Sequence, residues 1–80
     1  MTTEITIASD QDRPNLFAEV RMGGDVIAEV IYDAAKMSYL VQVFASHDDG
    51  STCVDLAEFR NALLQAKEAL VARGYPNLTV

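Results

Sequence analysis

VDLAEFRNALLQAKEALVARGYP, residues 54–76, decides the fold. Asp55 is placed to cap the first free backbone N–H groups of a helix, and Glu58, three residues on, can reach back to the cap. Val54 before the cap and Phe59 at the fourth helical position make a hydrophobic staple. Gly74 supplies a left-handed residue to end the helix, and Pro76 prevents a restart. These signals predict a helix over Leu56–Arg73. Leu56, Phe59, Leu63, Ala66 and Leu70 share one face, with Ala62 and Ala69 beside them. Glu58, Asn61, Gln65, Glu68 and Ala72 face away. An apolar stripe of this kind must be buried against another layer.

Everything upstream reads as that layer. Glu4–Ala8 alternates Ile5 and Ile7 with polar neighbours, a short strand. Ser9–Asn15 is polar, contains Pro14 and reads as a loop. Leu16–Met22 is a second strand, with Leu16, Ala18, Val20 and Met22 on one face and Phe17, Glu19 and Arg21 on the other. Val26–Tyr32 is a third, with Val26, Ala28, Val30 and Tyr32 toward the core and Ile27, Glu29 and Ile31 away. A three-residue loop, Gly23-Gly24-Asp25, sets the like faces side by side, whereas a two-residue turn mixes them. After a turn at Asp33–Lys36, Met37–Ala45 is the fourth strand. Its core face is Met37, Tyr39, Val41 and Val43; Ser38, Leu40, Gln42 and Phe44 face out. Asp49-Gly50 is a hairpin signal that returns the chain through Ser51–Val54, a candidate fifth strand. Tyr75–Val80 is a tail that can lie along the sheet. The predicted fold is α+β, an antiparallel meander of four to five strands with one long C-terminal helix on one face.

Eighty residues form one domain, 1–80, with a small core. No apolar run reaches the ~20 residues needed to span a bilayer. Met1–Glu4 has neither the basic region nor the apolar stretch of a signal peptide, so a cytoplasmic protein without membrane contact is expected. The single cysteine, Cys53, cannot form an internal disulfide, which fits a reducing compartment. Charge is uneven. Residues 1–58 carry eleven carboxylates and three basic side chains, a net of −8; residues 59–80 carry Glu68 against Arg60, Lys67 and Arg73, a net of +2. Such an acidic sheet half repels phosphate backbones and disfavours direct nucleic-acid binding, while favouring a protein partner with a basic surface.

Catalytic signatures are not found. His47, Asp48 and Asp49 are neighbours on one hairpin tip, so they diverge and cannot close a coordination sphere; no metal or cofactor is expected. A Cys53–His47 pair lacks a third orienting group and an oxyanion site, and a lone cysteine is usually a small buried apolar residue. Arg60 and Lys67 share a strip of the helix that reads as a solvated rim, with a dimer or partner contact as the alternative. The protein is therefore expected not to be an enzyme. The remaining constellation is acidic. Asp25, Glu29 and Asp33 fall on the outward face of the third strand, Glu19 lies on the same face of its neighbour, and Asp48 and Asp49 add an acidic loop. That face also carries Phe17, Ile27, Ile31, Leu40 and Phe44, more apolar area than a monomer surface usually shows.

A meander over Phe17–Phe44, the Asp49-Gly50 turn and the capped helix Asp55–Arg73, in a short acidic chain without catalytic signatures, resembles the small inhibitors carried by phages and prophages, anti-CRISPR proteins among them. The resemblance is one of layout and carries no residue roles. It implies a protein that blocks a CRISPR surveillance complex where target DNA would bind. The expected partner-binding residues are Glu19, Asp25, Glu29, Asp33, Asp48 and Asp49, with Ile27, Ile31 and Phe44 as apolar anchors. The alternative expectation is a homodimeric structural or accessory domain in which the outward apolar face pairs with its own copy; monomer and homodimer both stay open.

Overall fold

A computed structural model describes residues 2–44 and 53–79 of the chain. Four strands, β1 (Thr3–Ala8), β2 (Phe17–Met22), β3 (Asp25–Asp33) and β4 (Ser38–Val43), precede one helix, α1 (Leu56–Val71). The strands pair antiparallel in the order β1-β2-β3-β4, and α1 packs on one face, the α+β meander that the sequence predicts. Of the candidate fifth strand, Ser51 and Thr52 lie outside the described residues, and Cys53 and Val54 are not strand. The predicted fourth strand is shorter than expected at its start. Met37 has φ 51°, left-handed backbone that closes the turn after β3 instead of opening β4.

The core follows the alternation of the strands. Ala18, Val20 and Met22 of β2 and Ala28 and Val30 of β3 are buried against Ala62, Ala66 and Leu70 of α1. Ile5 and Ile7 of β1 close one side, and Phe59 and Leu63 pack on the margin. Val20 and Leu70 are the largest side chains in full burial.

The hairpin between β2 and β3 is not the expected three-residue loop. Gly23 and Gly24, at φ 65° and 92°, make a two-residue turn that sets Met22 opposite Asp25 and Arg21 opposite Val26. A β-bulge then shifts the register, and Val20 pairs with Ala28. The predicted facing of like faces is recovered, but through one extra residue within the strand rather than within the loop. That residue is Ile27. Its side chain belongs to the core cluster, not to the outward face. Val26 moves the other way and stands opposite Arg21.

The helix starts where its sequence predicts and ends at Val71, two residues before the expected Arg73. Asp55 accepts a hydrogen bond from the Glu58 N–H at 3.0 Å. At the other end Gly74, φ 101°, carries a Schellman turn, with Tyr75 N–H donating to Leu70 C=O and Gly74 N–H to Val71 C=O. Two positions on the helix differ from expectation. Leu56, assigned to the buried stripe, is 81% exposed. Lys67, assigned to a solvated rim, is buried, because its Nζ donates to Leu78 C=O at 2.9 Å and sits 3.4 Å from Glu68.

Lys67 is one of three pins on the tail. Tyr39 Oη donates to Pro76 C=O at 2.6 Å, and Tyr75 Oη accepts from Leu16 N–H at 2.9 Å. Tyr32 lies between, its ring centroid 5.3 Å from Tyr39 and 5.9 Å from Tyr75. The tail is thus tied to the sheet by side chains, without forming a strand.

Candidate functional site

A helix is about 10–12 Å across and strands lie about 4.8 Å apart, so one helix roofs two strands fully and a third in part. Here α1 sits over β1 and β2 and touches β3 lightly. The expected core face of β4 is consequently bare beyond Tyr39, which is half-buried and packs against the core. Val41 is 45% exposed and Val43 65%, although their register partners Val30 and Ala28 are buried. Met37, also expected in the core, lies exposed in the turn. On the outer face of the same strand Leu40 is exposed too. Between β4 and the helix runs an open groove of about 430 Å³, lined by Val30, Tyr39, Val41, Leu63 and Leu64, with Arg60 and Lys67 as its cations.

β4 is also the outer strand among the described residues. The chain re-enters at Cys53 as coil and joins the helix at Leu56, so no described residue pairs with its far side. Phe44 N–H donates to Ile27 C=O, which fixes which backbone groups point inward. By alternation the N–H and C=O groups of Tyr39, Val41 and Val43 point outward, away from β3. Residues 37–44, MSYLVQVF, contain no charge, proline or glycine. Protein sheet edges normally carry such residues to prevent pairing.

The outward face of β2 and β3, where the docking residues were expected, is arranged differently. Glu29 is buried and its carboxylate lies 2.7 Å from Arg13 Nη1. Arg13 comes from the β1–β2 loop and lies over the Phe17 ring, 4.1 Å from its centroid, so Phe17 is buried as well. Glu19 stands directly opposite Glu29, a like-charge pair that the two arginines relieve, Arg21 lying 3.5 Å from Glu19. Ile31 and Phe44 are half-buried. Asp33 is spent on the turn, accepting from the Ala35 and Lys36 N–H groups. Asp25 is exposed, but the bulge puts it opposite Met22 and off the row that contains Glu29. Ile27 and Glu29 therefore stand inside the protein, and the carboxylates do not form the ordered line expected on β3. Asp48, Asp49 and His47 lie outside the described residues.

Val41 and Val43, expected in the core, are the exposed apolar residues that alternation alone does not identify; Leu40, expected on the outward face, is exposed there. The signal was there: an uncharged run on the last strand of a meander. It was masked by the assumption that one helix covers every inward-facing residue. Cys53, expected to be buried, is exposed. Among the described residues no helix is long and apolar enough to cross a membrane, and no three His, Cys, Asp or Glu side chains converge as a metal site would need. Comparison of the chain with protein-family models, with curated proteins and with solved structures finds no match in any of the three.

Proposed function

We propose that this protein is a non-enzymatic binding module of the cytosol that engages another polypeptide through the outer edge of β4 and the groove beside α1. The observation that carries the reading is the combination on one strand. β4 presents outward backbone groups, apolar side chains exposed on both faces and no charge. Strand addition at such an edge draws affinity from main-chain hydrogen bonds and specificity from the side-chain pockets alongside.

A second reading keeps the acidic docking that the resemblance to anti-CRISPR inhibitors implies, with its site moved. Thr3 and Glu58 line one shallow groove, and Thr3 is joined through Met22 to Asp25. Exposed Glu4, Asp25, Asp55 and Glu58 thereby gather toward one end of the sheet, suited to a basic surface on a nucleic-acid-handling protein.

Capture experiments from a host lysate separate the two. In the first reading Val41→Lys abolishes capture, the Asp25→Lys/Glu58→Lys double variant does not, and raising salt from about 0.05 to 0.5 M changes little. Capture that survives Val41→Lys but disappears with the double variant and with salt would replace the first reading by the second.

A further inference from the structure

The occupant of the β4 edge follows from the pattern of the edge itself. Taking the binding-module reading as its basis, we infer that the strand pairs with a second copy of itself, antiparallel, about a two-fold axis through Val41.

Only Tyr39, Val41 and Val43 point backbone groups outward. An axis through Val41 sets Val41 opposite the partner's Val41 and Tyr39 opposite the partner's Val43. Every outward N–H and C=O of the three residues then finds a partner in one register. Axes through Leu40 or Gln42 leave one of the three pairing beyond the strand, with Met37 of the left-handed turn or with Ala45. The same axis keeps the faces matched. On the helix side it extends the exposed apolar row of Val41 and Val43 with an identical row. On the other side it sets Leu40 against the partner's Gln42 and Ser38 against the partner's Phe44.

Charge selects a second copy as well. The chain carries a net charge of −6, so two copies repel wherever their carboxylates meet. Residues 37–44 hold no charge, and among the described residues the charges that line the groove are the cations Arg60 and Lys67, with Glu68 3.4 Å from Lys67. Of the two described sheet edges, this one sets no carboxylate of the paired strands together, whereas β1 carries Glu4. The groove beside it receives the partner's Val43 next to Tyr39, one of its own lining residues. The product is a continuous eight-stranded sheet with both helices on one face. An interface built mainly on one strand pair is small, at or below ~1,200 Å² in total, which places the affinity in the micromolar range.

The test uses the full chain at about 100 µM, a concentration chosen for that affinity range. Light scattering is expected to give twice 8.7 kDa, falling to 8.7 kDa in Val41→Lys, which brings two lysines together on the axis. The thermal unfolding of that variant, followed by circular dichroism, stays cooperative. In a Cys53→Ser background, Val41→Cys is expected to cross-link under mild oxidation, whereas Glu4→Cys on the opposite edge is not. Hydrogen exchange of the Tyr39, Val41 and Val43 amides slows in the wild type and speeds up in Val41→Lys. A wild-type mass of 8.7 kDa with fast exchange at these amides overturns the self-pairing, as does a dimer that persists in Val41→Lys. Either result leaves the binding-module reading to its own capture test.

Discussion

The two edges of the sheet are built to opposite rules. β1 lies under the helix, alternates Ile5 and Ile7 with Glu4 and Thr6, and directs these isoleucines into the core. β4 has a comparable alternation in sequence, yet its inward Val41 and Val43 remain in solvent. The contrast comes from width rather than from local preference. One helix cannot roof four strands, and α1 is placed over the first two. A pattern of alternating residues identifies which side chains share a face, but it does not identify what lies over that face.

The sharpest way to break this comparison is a matched pair of truncations. Leu70 is fully buried where the helix meets the sheet, so Leu70→Ala is expected to cost about 2–5 kcal/mol in urea unfolding. Val41→Ala, on the bare strand, is expected to cost less than about 1 kcal/mol when the protein is diluted to monomer. Equal costs would mean that β4 is covered after all. A middle-sized effect concerns the outer face. Arg13→Ala leaves Glu29 buried without its partner and opposite Glu19, at an expected cost of about 1–3 kcal/mol. Adding Glu29→Gln should recover much of that loss; no recovery would show that Arg13 acts through Phe17 alone.

The smallest effect sharpens the comparison at the margin of β4. Burial first, then the neighbouring Tyr32, Glu68 and Tyr75, hold the Tyr39 hydroxyl above its usual pKa of 10.0. The protonated form is therefore favoured by folding. Its contribution is complete below the unfolded pKa and is lost as pH rises through the higher folded value. Tyr39→Phe is expected to cost about 0.5–1 kcal/mol at neutral pH through the lost bond to Pro76, and to flatten the loss of stability above pH ~10. An alkaline unfolding profile unchanged by the substitution would remove Tyr39 from that titration.

Much of the fold was legible because local signals and the global arrangement agree. The Asp55 cap, the Gly74 stop and the strand alternation each name their element directly. What was not legible depends on relations between elements. The bulge at Ile27 has no residue signature, since both hairpin solutions satisfy the same glycines, and it alone moves Ile27 inward and Asp25 out of line with Glu29. The cover over Phe17 comes from Arg13 in a loop that reads only as polar. Lys67 looks like surface on a helical wheel because the carbonyl that buries it belongs to the tail. The bare margin of β4 was not legible for the same reason. Carboxylates announce themselves in a sequence, whereas an unroofed strand becomes visible only once the roof is placed.

Ile27 has a reach beyond its own strand. Its carbonyl receives the Phe44 N–H, so the bulge is hydrogen-bonded across the ladder to the residue that follows β4. A single surplus residue on the neighbour thus holds the end of the outermost strand.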